Sequence, residues 1–226
     1  MSTKMNINDF TCSLNMPQSL VSKKHENDEI AHSLPPYAPQ KAYVVDEYTA
    51  CPSNWMHGST KASSYFVGIK ADHGMWLDFT DNQRHSHDVA VLVSIQGINP
   101  ITGQRTGKMQ LEQYNCKCPV HNVEFAQERF CSKCGYKWPK QNYLATTANQ
   151  PLWIDGFRAP DGKVRQYIFT EDVTRGVAAQ IIGDERVFAI GVAFYKSRSP
   201  KITKPLFDNN GLYKLKKLLT TITNAL

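Results

Sequence analysis

A mainly β chain is predicted, with an antiparallel β-sandwich or jelly-roll-like body, a cysteine-rich lobe inserted between two strands, and a C-terminal amphipathic helix. Three observations predict it. Short β-branched and aromatic runs recur between residues 42 and 195, separated by turn residues. Four of the six cysteines crowd into residues 116–134. Apolar residues return at three- and four-residue steps only at the end of the chain.

Residues 1–40 are polar, lack apolar periodicity and contain a charged run at 23–29 and Pro35-Pro36. They are expected to form an extended or disordered arm, a solvated tail or one that wraps a neighbouring subunit. Strands are expected at 42–48, 64–70, 75–79, 88–96, 108–114, 163–170, 176–182 and 186–195. In 88–96, Val89, Val91, Val93 and Ile95 alternate with Ala90, Leu92 and Ser94, so that strand should be buried on both faces. Residues 186–195 share this character, and 163–168 read as half exposed. The turns at 99–103 and 159–162 combine a φ-fixing proline with a glycine that accepts positive φ, and each should join antiparallel neighbours. The body therefore comprises 41–115 plus 150–200, with the inserted lobe at 116–149 and a basic tail at 201–226. In that tail Leu212, Leu215, Leu218, Leu219 and Ile222 form one stripe, with Lys214, Lys216 and Lys217 off it. Such a helix docks on its own domain or binds a partner subunit, an anionic membrane surface or nucleic acid.

Hydrophobic residues make up 41% and charged residues 20%, the balance of an ordinary globular protein. No apolar run approaches the roughly 18 residues of a membrane span, and residues 1–20 lack the apolar region of a signal peptide. An intracellular (cytoplasmic) location is expected, or a particle component assembled there. The cysteine pattern agrees with a reducing compartment, because Cys12 and Cys51 stand apart and suggest no disulfide framework. The net charge of +6 sits almost wholly in residues 196–226, where seven Lys and Arg face one Asp. The body is close to neutral, which argues against a whole-domain nucleic-acid surface.

Cys118-Pro-Val-His121 and Cys131-Ser-Lys-Cys134-Gly135 together carry the donor types and spacing of a closed zinc site. Each short turn converges two side chains, Pro119 stiffens the first, and Gly135 frees the second. Cys116 is a substitute ligand should Cys118 be free. Three thiolates and one imidazole saturate a tetrahedral ion, so one structural zinc is expected, with no open position for catalysis. The run Cys131-Ser-Lys-Cys-Gly-Tyr-Lys-Trp138 resembles the knuckle of zinc-ribbon proteins, over residues 116–138 only. His121 stands where a ribbon more often has cysteine, and the resemblance implies no particular activity.

Elsewhere the densest polar group is Asp78, Asp81, Arg84, His85, His87 and Asp88. A His-x-His pair on a strand would suit a jelly-roll metalloenzyme, but the segment reads as a polar loop. Trp153 to Arg158, with Arg165 and Tyr167, reads as an aromatic anchor with an Asp–Arg pair closing a hairpin, or as a binding edge. In the lobe, Lys117, Arg129, Lys133, Lys137 and Lys140 alternate with Phe130, Tyr136 and Trp138, the residue mix of single-strand binders. Lys133, Lys137 and Trp138, with the three tail lysines, are the candidate nucleic-acid contacts. The sequence thus supports a non-enzymatic, zinc-stabilised structural or protein-interaction component, self-associating or joined to other subunits. A nucleic-acid-associated module and a metal-dependent jelly-roll enzyme around His85 and His87 are the alternatives.

Overall fold

The computed structural model describes residues 2–18, 35–56, 63–147, 152–183 and 189–201. It is mainly β, with antiparallel pairing between its strands. In chain order these are β1 (Met5–Ile7), β2 (Phe10–Asn15), β3 (Ala42–Val44), β4 (Tyr65–Val67), β5 (Gly74–Asp78), β6 (His87–Ile95) and β7 (Ile98–Asn99). They continue as β8 (Gln104–Arg105), β9 (Leu144–Ala145), β10 (Trp153–Ile154), β11 (Gly156–Arg158), β12 (Val164–Ile168) and β13 (Ile190–Pro200). One sheet runs β1-β2-β5-β12-β11, with β10 also on β5; a second runs β13-β6-β7-β8, with β9 on β6; β3 and β4 form a two-stranded sheet.

One core joins the two larger sheets. Leu14, Met75, Leu77, Ile154 and Tyr167 come from the first, and Val89, Val91, Val93 and Ile95 from β6 in the second. The expected alternation in β6 is observed, because Leu92 on the opposite face is also fully buried. That second face is covered by residues near Met109. The Met109 side chain lies 3.7 Å from where a Cβ on Gly191 would sit, and the Tyr195 hydroxyl donates to the Met109 carbonyl. Residues 108–114, predicted as a strand, act as this strap. The segment pairs with residues 140–142 only through an isolated Gln113–Gln141 bridge, and the Asn142 side chain takes the next positions: its Nδ2 donates to the Gln110 carbonyl at 3.0 Å, and its Oδ1 accepts from the Glu112 N–H at 2.9 Å.

Two further expectations are corrected. Residues 176–182, read as a strand, contain helix α1 (Val177–Ile182). Its entry is a 3₁₀ turn capped by Asp172, whose Oδ1 accepts from the Thr174 N–H, and it ends on Gly183 at φ 69°. Within 1–40, read as an extended or disordered arm, β1 and β2 form a hairpin on the first sheet, turning at Asn8 with φ 53°. Cys12 and Leu14 alternate inward and are 2% and 4% exposed. Burial pushes the Cys12 thiol far above its usual range, so it behaves as a small apolar side chain. Residues 19–34 and the predicted helix beyond Lys201 lie outside the described residues.

Both predicted turns join neighbours, β7 to β8 and β11 to β12. Gly103 closes the first at φ 65°, and a Cβ there would meet the Arg158 carbonyl oxygen at 2.6 Å. The second joins the strands of the aromatic anchor expected of 153–158 and 165–167: Phe157 packs edge-on to buried Tyr167 at 4.7 Å, while the acid paired with Arg165 is Asp161 in the turn, outside those residues, at 3.7 Å.

Asn99 is the polar hub of the second sheet. Its Oδ1 accepts from the N–H groups of Ile101 and Thr102 at 3.0 Å, and its Nδ2 donates to the carbonyls of Asn142 at 2.8 Å and Val93 at 3.3 Å. Asn99→Ala leaves these buried groups without partners, and denaturant unfolding is expected to show a loss of about 2–4 kcal/mol. A loss under about 0.5 kcal/mol would mean that water replaces the amide.

Candidate metal centre

The lobe leaves the body after β8 and returns at β9, which lies inside the range expected for the lobe but pairs with β6. Its core is small: Cys118, Cys131, Tyr136 and Trp138, with Tyr114, Val123 and Phe125 packed against them. Trp138 lies 4.6 Å from Tyr136 and 5.4 Å from Tyr114. The Lys137 N–H donates to the Pro160 carbonyl at 3.0 Å, which ties the lobe to the β11–β12 hairpin.

Two turns of equal construction deliver the donors. In the first, the Cys118 carbonyl accepts from the Asn122 N–H at 2.8 Å, and the Cys118 N–H donates to the Val123 carbonyl at 2.8 Å. In the second, the Cys131 carbonyl accepts from the Gly135 N–H at 2.7 Å, and the Cys131 N–H donates to the Tyr136 carbonyl at 2.9 Å. Both turns reverse through a left-handed residue, Asn122 at φ 51° and Gly135 at φ 68°. Sequence reasoning found Gly135 and missed Asn122. The signal was present, since Asn follows His121 where Gly follows Cys134, and Asn is among the residues that best tolerate this conformation.

The turns bring the donor atoms of Cys118, His121, Cys131 and Cys134 within 4.8 Å of one another, close enough to hold a metal ion. His121 presents Nδ1, 3.5 Å from the Cys131 sulfur and 3.8 Å from that of Cys118. Cys118 and Cys131 are fully buried and Cys134 is exposed. Burial opposes the Cys131 thiolate, yet the backbone N–H groups of Cys134 and Lys133, with the neighbouring thiols, outweigh it and lower that thiol to about 6. Cys116 is exposed and outside this group.

The lobe's basic residues are largely committed within it. Arg129 donates to four backbone carbonyls: Asn115 at 2.7 Å, Pro139 at 3.1 Å, Trp138 at 3.4 Å, and Tyr114. Its guanidinium also lies 4.8 Å over the Phe125 ring, so it clamps the lobe's entry to its exit. Lys117 pairs with Glu124 at 3.7 Å and Lys137 with Glu128 at 3.6 Å, whereas Lys133 is exposed. Trp138, a candidate base-stacking residue, is only 5% exposed and offers no free ring face. Lys214, Lys216 and Lys217, and the stripe of Leu212, Leu215, Leu218, Leu219 and Ile222, lie outside the described residues.

The polar group around His85 and His87 forms no second donor cluster among the described residues. His85 sits before β6 with its ring 4.9 Å from that of Phe10, and His87 Nδ1 is 3.1 Å from the Ser86 hydroxyl. The acids are engaged elsewhere: Asp78 accepts from Tyr37 at 3.0 Å, Asp81 from Lys4 at 2.5 Å and Asp88 from Thr146 at 2.9 Å. Compared with protein-family models, curated proteins and solved structures, the chain has no match in any of the three.

The equivalence of Asn122 and Gly135 is testable by substitution. Asn122→Gly is expected to retain metal, whereas Asn122→Val forces a β-branched residue to positive φ at about 1–2 kcal/mol. A chelator titration should strip the Val variant at roughly tenfold lower concentration. Equal retention by the two variants would remove Asn122 from the turn's requirements.

Proposed function

We propose that the chain is a non-enzymatic, zinc-stabilised structural or protein-interaction component of a larger assembly. In this reading the two sheets form a β-sandwich body carrying a zinc-ribbon-like lobe. The convergence of four donors on one point carries the proposal. Zinc fits them best, because three thiolates and one imidazole suit a borderline-soft tetrahedral ion. Ligand bonds of about 2.3 Å to sulfur and 2.0–2.1 Å to nitrogen separate those atoms by about 3.5 Å in a tetrahedron. The sulfur–nitrogen distances of 3.5 and 3.8 Å support that geometry.

A closed donor set leaves no position for substrate, so the ion's contribution is to folding. Function then falls to surfaces, and self-association or joining of other subunits is the reading carried forward. A reducing intracellular compartment would keep the three thiol ligands available.

Metal analysis of the purified chain is expected to find one zinc per molecule, lost in Cys131→Ser and retained in His85→Ala/His87→Ala. Two ions per chain, one of them lost in the histidine variant, would instead favour the enzyme. Native mass measurement should show oligomers, and a strict monomer at high concentration counts against assembly. Zinc retention should also fall on acidification. Protons compete for the ligands, and because the Cys131 thiol is lowered to about 6, it joins that competition only as the pH falls through that value. Zinc held unchanged to pH 4 would not fit a thiolate site.

A further inference from the structure

The β3–β4 sheet has one face turned into the protein and one turned out. Ala42 is buried and Val67 packs against the main core, while the register pairs Tyr43 with Phe66 on the opposite side. Tyr43 and Phe66 stack at 5.1 Å, Tyr48 stands edge-on to Phe66 at 5.2 Å, and Trp55 lies 6.5 Å from Phe66. Trp55 is 50% exposed. Two three-residue strands are marginal on their own, and no second layer covers this aromatic face among the described residues, which is the character of an interaction surface. Exposed Asp46 and Glu47 border it, and neither forms an ion pair with another described residue.

Residues 212–226 carry the complementary chemistry: a leucine-rich stripe for the rings and Lys214, Lys216 and Lys217 for the acids. The place where the chain departs towards that segment is fixed. The Lys201 N–H donates to the Ser86 carbonyl at 2.7 Å and its Nζ to the Gln83 carbonyl at 2.6 Å. Asn82, next to Gln83, bonds Thr11 at 2.7 and 3.0 Å. Thr11 pairs with Asn6, and Asn6 bonds Tyr65 of β4 at 2.8 and 3.1 Å. Five such neighbour steps, most of about 5 Å and the last through the longer Tyr65 side chain, place the platform within roughly 30 Å of Lys201. The intervening residues 202–211 can span up to about 33–36 Å.

We infer that the β3–β4 aromatic platform is the docking site for the Leu/Lys-rich segment 212–226 of the same molecule. Tethering gives that segment an effective concentration on the order of millimolar, which favours it over a neighbour's copy. The ring face takes the leucines, and Asp46 and Glu47 select a basic segment over a neutral one.

Zero-length carbodiimide cross-linking of the intact chain, mapped by mass spectrometry, tests this directly. Links from Asp46 or Glu47 to Lys214, Lys216 or Lys217 are expected in a species of monomer mass. In Trp55→Ala and in Leu215→Asp/Leu218→Asp the links should fall about tenfold, with faster amide exchange over 42–48 and 65–67. Trp55 is half exposed, so its variant keeps the fold, and unchanged zinc content separates this result from the fate of the lobe. Absent links, links confined to a species of twice the mass, or links unaffected by both variants would overturn the inference.

Discussion

Val93 and Leu92 are neighbours in β6 that point to opposite faces, and both are fully buried, so this strand can exist only where two layers cover it. The first sheet supplies one layer and the Met109 strap the other. The same strand hydrogen-bonds to β13, β7 and β9. Since β7 leads into the hairpin from which the lobe departs, and β9 is where the lobe returns, β6 holds both roots of the metal-binding segment. Asn99 strengthens this bracket by joining Val93 in β6 to Asn142 just before β9. The donor turns are therefore presented by a rigid frame, although no residue of β6 touches them.

Parts of this were legible because local sequence and tertiary demand agreed. The alternation at 89–95 specifies a strand, and Asn99-Pro100…Gly103 specifies a reversal. The two cysteine turns declare themselves by spacing alone. Other parts were not legible because distant side chains decided them. Residues 108–114 have a strand-like composition, but their pairing with 140–142 stops at one bridge, where the Asn142 amide takes the Gln110 carbonyl and the Glu112 N–H from about 30 residues away. Val177-Ala-Ala-Gln-Ile-Ile182 reads equally well as strand or helix, and the deciding signals, Asp172 with Thr174 and Gly183, flank it. The β1–β2 hairpin was obscured by the polar residues around Cys12 and Leu14, which line the strand's other face, where Thr11 and Ser13 are half-buried and Asn15 is buried.

Charge in the lobe follows the same logic of local commitment. A run of Lys and Arg interleaved with aromatics suggests nucleic acid until the partners of each residue are placed. Arg129 is consumed by carbonyls at the lobe's neck, where four unpaired acceptors would otherwise be left as the chain crosses itself. Lys117 and Lys137 face acids across exposed pairs, each contributing little to stability, about 0–1 kcal/mol, but offsetting the positive field. With a divalent ion bound, three thiolates would add a further negative charge. What remains exposed without an acidic partner among the described residues is Lys133 at the second turn and Lys140 at the lobe's exit.

The lobe's small core is consistent with the proposed metal. Its apolar interior amounts to two buried aromatics and three partly buried neighbours besides the cysteines, far below what an independent unit of this size requires. Both reversals pass through left-handed residues, and each is closed by two backbone hydrogen bonds and one apolar neighbour, Val123 in the first and Tyr136 in the second. An ion held by all four donors would tie Cys118 to Cys131 and so fix the two turns against each other. With that distance set, Tyr136 and Trp138 can stack, Arg129 can reach the neck, and Lys137 can dock on the β11–β12 hairpin. On the proposed reading, the order of dependence would run from the metal-bound donor set to the aromatic packing and then to the docking of the lobe.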